Sequence, residues 1–162
     1  MQNPTPYFTH SLTALTNILT KAETYAELKK IKPEVLPQLR LIADMLPLWR
    51  QITIACDHAK GASARLAGLP VPPFEDNETT LAELITRIGK TIDFMATVPS
   101  GAYEGAEDLE ISLRVGGRDI TMPALRYYHS YAVPNFFFHM TTAYNILRGN
   151  GVDIGKGDFI GA

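Results

Sequence analysis

Apolar positions recur at steps of three and four along most of the chain. From Thr5 to about Lys30, the residues Phe8, Leu12, Leu15, Ile18, Leu19, Ala22 and Tyr25 form one stripe and predict a first amphipathic helix. Lys29, Lys30 and Lys32 stand at its end, where cations suit the negative helix terminus, and Pro33 and Pro37 bracket a connection. A second helix is predicted from an Asp44 N-cap, with Pro47 in its first turn, where no intrahelical donor is lost. Met45, Trp49, Ile52, Cys56, Ala59, Ser63 and Leu66 make its stripe, and Gly68 and Pro70 end it. Leu69 to Asn77 is rich in proline and predicts a long connection. Thr80 and Glu83 have capping-box spacing and open a third helix. Its stripe is Leu81, Leu84, Ile85, Ile88, Ile92 and Met95, and Pro99 stops it.

The period changes between Leu109 and Met122. Ile111, Leu113 and Val115 alternate with polar residues, Gly116-Gly117 supplies a two-residue turn, and Ile120 and Met122 resume the alternation. This pattern predicts a β-hairpin. A fourth helix is predicted from Pro123 to about Arg148, kinked at Pro134 and closed by Gly149-Asn150-Gly151. In the tail to Ala162, Phe159 and Ile160 are the anchors to the body. Four long amphipathic helices predict an all-α four-helix bundle in a single domain spanning 1–162. The long connection lies between helices two and three and the small hairpin between helices three and four.

Composition adds limits. The chain has 162 residues, 46% of them hydrophobic and 20% charged, enough for one domain with its own core. Lys plus Arg is 15 against 17 for Asp plus Glu, a net charge of −2, so no basic excess favours nucleic acid as a partner. Met1 to Pro6 lacks the basic start and apolar run of a signal peptide. The most apolar stretch, Tyr127 to Leu147, is interrupted by His129, Pro134, Asn135 and His139, so no membrane span is expected. The expected setting is the cytoplasm. The single cysteine, Cys56, lies in an apolar helical pattern and reads as a buried, inert thiol.

Sites in helix bundles are built from side chains on facing helices. Asn135 and His139 are four residues apart on the fourth helix, and Thr142 continues their face. Two readings stand side by side there. In one, His139 is a core histidine with a hydrogen-bond partner and Asn135 satisfies carbonyls freed by Pro134. In the other, the pair borders a site. On the second helix, Arg50, Thr53, Asp57, Lys60 and Gly61 lie beside the apolar stripe. Asp57 and Lys60 either pair on a solvated face, or Asp57 turns inward to meet His139. The candidate pocket is therefore His139, Asn135, Asp57, Thr53, Lys60 and Thr142. Its metal prospects are poor: one His with Asn and Asp or Thr falls short of three good zinc ligands, so no tightly bound zinc is expected and His139 is only a weak candidate ligand. No cofactor is implied beyond a weakly held divalent metal. His58 reads as outward-facing, and His10 and His129 as surface residues.

Tyr127, Tyr128, Tyr131, Phe136, Phe137, Phe138 and Tyr144 crowd the fourth helix. Three consecutive phenylalanines cannot all face one core, which favours a homodimer, with packing against the long loop as the alternative. G-x-S-x-G, Walker, paired CxxC and G-x-G-x-x-G motifs are absent.

Asn135-Phe136-Phe137-Phe138-His139, followed by Arg148 and Gly151, resembles the last helix of the DinB/YfiT-like superfamily, which reads H-x-x-x-H with a later Arg and Gly. The stretches Ile54 to Ala62, Arg65 to Gly68, Phe74 to Thr80 and Pro134 to Tyr144 are similar to an uncharacterised bacterial family within it. The resemblance implies a DinB-like bundle, commonly dimeric, and a superfamily in which some members bind a divalent metal through three histidines and act as thiol-dependent transferases or isomerases. Asn135 stands where the first of the two histidines in that motif is expected. The histidine of helix two is expected near Thr53, and only His139 of the triad is kept. The expected function is an uncharacterised DinB-like protein with an interhelical small-molecule pocket around His139 and a degenerate metal site, its activity unknown. The alternative is a non-catalytic dimeric binding or structural module whose ancestral site is filled as core. Whether the protein is an enzyme does not follow from the residues.

Overall fold

The computed structural model describes residues 1–162. Four long helices form the body: α1 (Thr5–Leu28), α3 (Leu48–Leu66), α4 (Leu81–Ala96) and a last helix built from α5 (Ala124–Tyr127), a π-helical turn (Tyr128–Ala132) and α6 (Val133–Gly149). Short helices α2 (Val35–Gln38) and α7 (Lys156–Ile160) lie in segments that the sequence reads as connection and tail. A two-stranded hairpin, β1 (Glu110–Val115) and β2 (Arg118–Pro123), precedes the last helix. No helix is long and apolar enough to cross a membrane.

The apolar stripes become the core. Phe8, Leu12, Leu15, Ile18 and Leu19 of α1 meet Leu84 and Ile88 of α4, Ile52 and Cys56 of α3, and Phe136 and Met140 of α6 in one continuous cluster. Helix α3 is central: it packs on α4 along one side and on α6 along the other. Most of its residues are therefore buried, including Gln51, Thr53, Lys60 and Ser63. The Cys56 thiol is fully buried, and desolvation pushes its pKa up to about 12.

Local signals act where the chemistry demands. Thr80 and Glu83 form a reciprocal capping box at the start of α4. The hairpin pairs Val115 with Arg118 across Gly116 and Gly117, both at positive φ, the turn that suits the twist of two strands. Ile111 is its buried residue, and Ser112 and Thr121 hydrogen-bond across it at 2.8 Å.

The start of α3 differs from expectation. Asp44 is not its N-cap; Pro47 is, in an extended conformation, and the helix begins at Leu48. A residue preceding proline is driven out of the helical region, so Leu46 breaks any helix begun at Asp44. The segment closes instead as a loop, with Leu48 N donating to Leu39 O at 2.8 Å. At Pro134 the helix is not broken. The missing donor and the bulk of the ring are accommodated by the wider π turn just before it.

Candidate functional site

Gln51, His58 and Arg65 recur every seven residues on α3, so they share one face, which lies against the last helix. On that helix Tyr127, Tyr131, Asn135 and His139 recur every four residues. The two rows meet as a polar seam. Gln51 is buried, and its Nε2 donates to Leu46 O at 2.9 Å, which turns Oε1 toward His139 at 2.7 Å from Nδ1. A carbonyl oxygen only accepts, so His139 Nδ1 carries the proton and Nε2 keeps its lone pair. The His58 ring stacks on His139 with centroids 6.0 Å apart and an interplanar angle of 15°, and its other neighbour is Tyr131 at 5.6 Å. Farther along, Arg65 Nη1 donates to the Tyr127 hydroxyl at 3.3 Å.

Electrostatics keeps both rings neutral. Burial lowers the His58 pKa to about 4, the neighbouring His139 and Arg65 adding to the effect and Asp57 opposing it. Burial also lowers the His139 pKa, with Arg50 adding to it. Tyr127 is raised by burial, against the pull of Arg65. At neutral pH the seam thus offers uncharged imidazoles beside a cationic guanidinium.

The residues expected to form the site divide. His139 and Asn135 do share a face of α6, but Asn135 Nδ2 donates to Tyr131 O at 2.7 Å, satisfying a carbonyl of the π turn, and Thr142 donates to Phe138 O at 2.7 Å. Thr53 is buried beside Arg50, its hydroxyl donating to Arg50 O at 3.4 Å. Asp57 does not meet His139. Its carboxylate turns toward α4, 3.1 Å from Arg87 and 3.0 Å from Lys60, and Gln51 occupies the place opposite His139. His58, expected on the outer face, lies in the seam. The heptad Gln51–His58–Arg65 was the available signal, but it ran beside the apolar stripe and not along it.

The Asp57 side of α3 is a closed ion cluster. Arg87, with a side chain only 2% exposed, pairs with Asp57, Asp76 and Glu78 at 3.0–3.1 Å and also donates to Glu75 O at 2.8 Å. Burial alone would lower its pKa, but Asp57 and Glu78 outweigh burial and hold the guanidinium above its ordinary range. Phe74 lies under both cations, with Lys60 Nζ 4.0 Å and Arg87 Cζ 5.1 Å from the ring centroid. Arg50 pairs with Asp76 in turn. The segment Phe74 to Thr80, prominent in the sequence, is thereby the clamp that fixes the long connection to α3 and α4.

A family model described as a domain of unknown function, DUF1993, matches residues 2–160. The chain belongs to the DUF1993 family. A crystal structure of a DinB family member protein from Shewanella denitrificans is 42% identical, with a TM-score of 0.90 over 98% of this chain and 89% of that one. No functionally curated protein matches the chain. The DUF1993 protein is thus a DinB-like bundle carrying a hairpin.

The donor set of this DUF1993 protein does not fit a three-histidine metal centre. No three His, Cys, Asp or Glu side chains converge in a way that could hold a metal ion. Asn135 is committed to a backbone carbonyl and Thr53 to another. Four principal cavities, of about 200 to 420 Å³, lie away from His139. One of about 250 Å³ is lined by Ala26, Ile31, Leu36 and Leu81 together with Glu23 and Glu27.

Proposed function

We propose that the protein binds a small molecule at the seam between α3 and α6 and that His139 acts there as a neutral proton acceptor. The observation that carries this reading is the Leu46–Gln51–His139 relay. It spends a buried amide on fixing one imidazole tautomer and leaves Nε2 with a free lone pair. A core histidine would also take a hydrogen-bond partner; the Nε2 left without one inside the chain is what favours this reading. The old metal position, in this reading, is degenerate, and the reaction is unassigned. The soluble setting is the cytoplasm, in keeping with a single buried thiol.

Histidine-observed ¹⁵N NMR with a fragment library is the test. Fragments that bind are expected to shift His139 Nε2, and metal analysis of protein purified without a nickel column is expected to show no stoichiometric zinc. Fragments that bind only elsewhere, leaving His58 and His139 unmoved, would overturn the reading.

A second reading, a non-catalytic homodimeric module, draws on exposed apolar surface. Phe138 is 57% exposed on α6, and Leu41, Ile42 and Leu46 are exposed in the loop before α3. Its mark would be a dimer whose His139 binds nothing.

A further inference from the structure

We infer that Arg65 is the anchor for a carboxylate, so that the ligand of the seam is a small organic acid with an apolar or aromatic body. The inference rests on the seam being the binding site.

Charge pairing singles Arg65 out. Arg50, Lys60, Arg65 and Arg87 are the Lys and Arg residues that are buried or half-buried. Arg50 is paired with Asp76, Lys60 with Asp57, and Arg87 with three carboxylates. Arg65 has no acidic partner. Arg65 is half-buried in the last turn of α3, and its one hydrogen bond is to a neutral phenol, Tyr127, so the charge is free to take an anion.

The position of the guanidinium is also built in. Arg65 folds back over Gly61, one turn earlier on α3. A Cβ at Gly61 would collide with Arg65 Nη1, and the Tyr127 hydroxyl would lie 3.8 Å from it. Glycine is an unfavourable residue in a helix interior, and at position 61 it leaves the space that the guanidinium occupies. Tyr127 helps hold that group over Gly61, on the side of Arg65 where His58 lies one heptad earlier on α3. Tyr131, stacked on Tyr127 at 6.0 Å and 5.6 Å from His58, supplies an aromatic wall between them.

The chemistry favours a carboxylate. A single guanidinium fork pairs bidentately with a carboxylate and balances its one charge, whereas a phosphate dianion would keep a second charge unbalanced beside two neutral imidazoles. Neutral His58 and His139 place proton acceptors within the reach of the rest of the ligand.

The probes are sodium benzoate, benzyl alcohol and inorganic phosphate, titrated into the full chain and its Arg65→Gln and Gly61→Ala variants while the side-chain resonances of His58 and His139 are followed by NMR. Circular dichroism checks that each variant is folded. Gly61→Ala keeps the charge but moves the guanidinium, so it tests placement independently of Arg65→Gln. Benzoate is expected to bind the wild type about tenfold more tightly than benzyl alcohol, as a charge-assisted pair implies, and both variants are expected to bring that ratio near one. Equal binding of both aromatic probes at the seam would overturn the role of Arg65 and leave the seam as the binding site. Phosphate binding more tightly than benzoate would overturn the carboxylate. No response at the seam to any probe would overturn both readings.

Discussion

Replacing Arg87 by Met should be among the most destabilising single changes in this protein. The side chain is 2% exposed and is held by Asp57, Asp76 and Glu78, which are 43%, 34% and 8% exposed. These partners will not respond alike. Asp57 keeps Lys60 and Asp76 keeps Arg50, and both reach water, so each loses about 0–1 kcal/mol. Glu78 has no other cation, and its Oε2 is already buried without a hydrogen bond. Removing Arg87 leaves a buried, uncompensated carboxylate, which costs about 3–5 kcal/mol. Met retains much of the volume and apolar contact, so the loss is electrostatic rather than a cavity. Urea unfolding followed by far-UV circular dichroism gives the measurement by linear extrapolation. Adding Glu78→Gln to Arg87→Met should return more than half of the loss, because the stranded charge is then gone. A single-variant loss below about 1 kcal/mol, or a double variant no more stable than the single one, would refute the assignment of the cost to Glu78.

Stability should also fall on acidification between pH 6.5 and 4. The folded His58 pKa lies at about 4, below the usual 6.5, so the unfolded chain takes up the proton first and His58 contributes up to about 3 kcal/mol of lost stability across that window; His58→Gln should flatten the slope in urea melts at stepped pH. Gly61→Ala should leave stability unchanged or raise it by about 1 kcal/mol, since a better helix former displaces only the end of a flexible Arg65; a loss above about 1 kcal/mol in thermal melts would count against that. Gln51→Leu should free the His139 tautomer, and ¹⁵N NMR should then find both ring nitrogens sharing the proton, where the wild type shows it on Nδ1. Light scattering at micromolar concentration should find a dimer, and Phe138→Asp should shift it toward monomer.

The helical frame was readable because each stripe obeys one rule: the apolar face goes inward. The same rule explains the misreading of α3. A stripe of Trp49, Ile52, Cys56, Ala59 and Leu66 marks one buried face, and residues off it, such as His58, read as outward. Helix α3 lies between α4 and α6, so it has two buried sides, and no single stripe shows this. The hairpin and the capping box were legible because their signals are local and nearly self-sufficient: two adjacent glycines, and Thr80 three residues from Glu83. The loop before α3 was misread because an N-cap preference at Asp44 was weighed without the constraint that Pro47 places on Leu46. His139 and Asn135 were found from their spacing, but their partners were not. Which residue faces His139 depends on the axial register of α3 against α6, and that is set by packing along the entire interface.

The two polar faces of α3 separate structure from chemistry by how fully they are satisfied. Asp57 and His58 are neighbours in sequence and point to different helices. On the α4 face, three cations meet three carboxylates and an aromatic ring, and what results is a clamp on the connection; apart from Arg87 Nε and Glu78 Oε2, its charges are used up within the fold. On the α6 face, His139 Nε2 has a lone pair with no partner, and Arg65 has a charge with no anion. A face that holds the fold together gains by closing its hydrogen bonds, because each open donor or acceptor withdrawn from water weakens it. On the α6 face the groups held by Gln51, Gly61 and Tyr127 keep valences that the chain does not use, and the proposed ligand would take them up. That asymmetry, rather than any surviving metal motif, is the physical argument for placing the function of this DinB-like protein between α3 and α6.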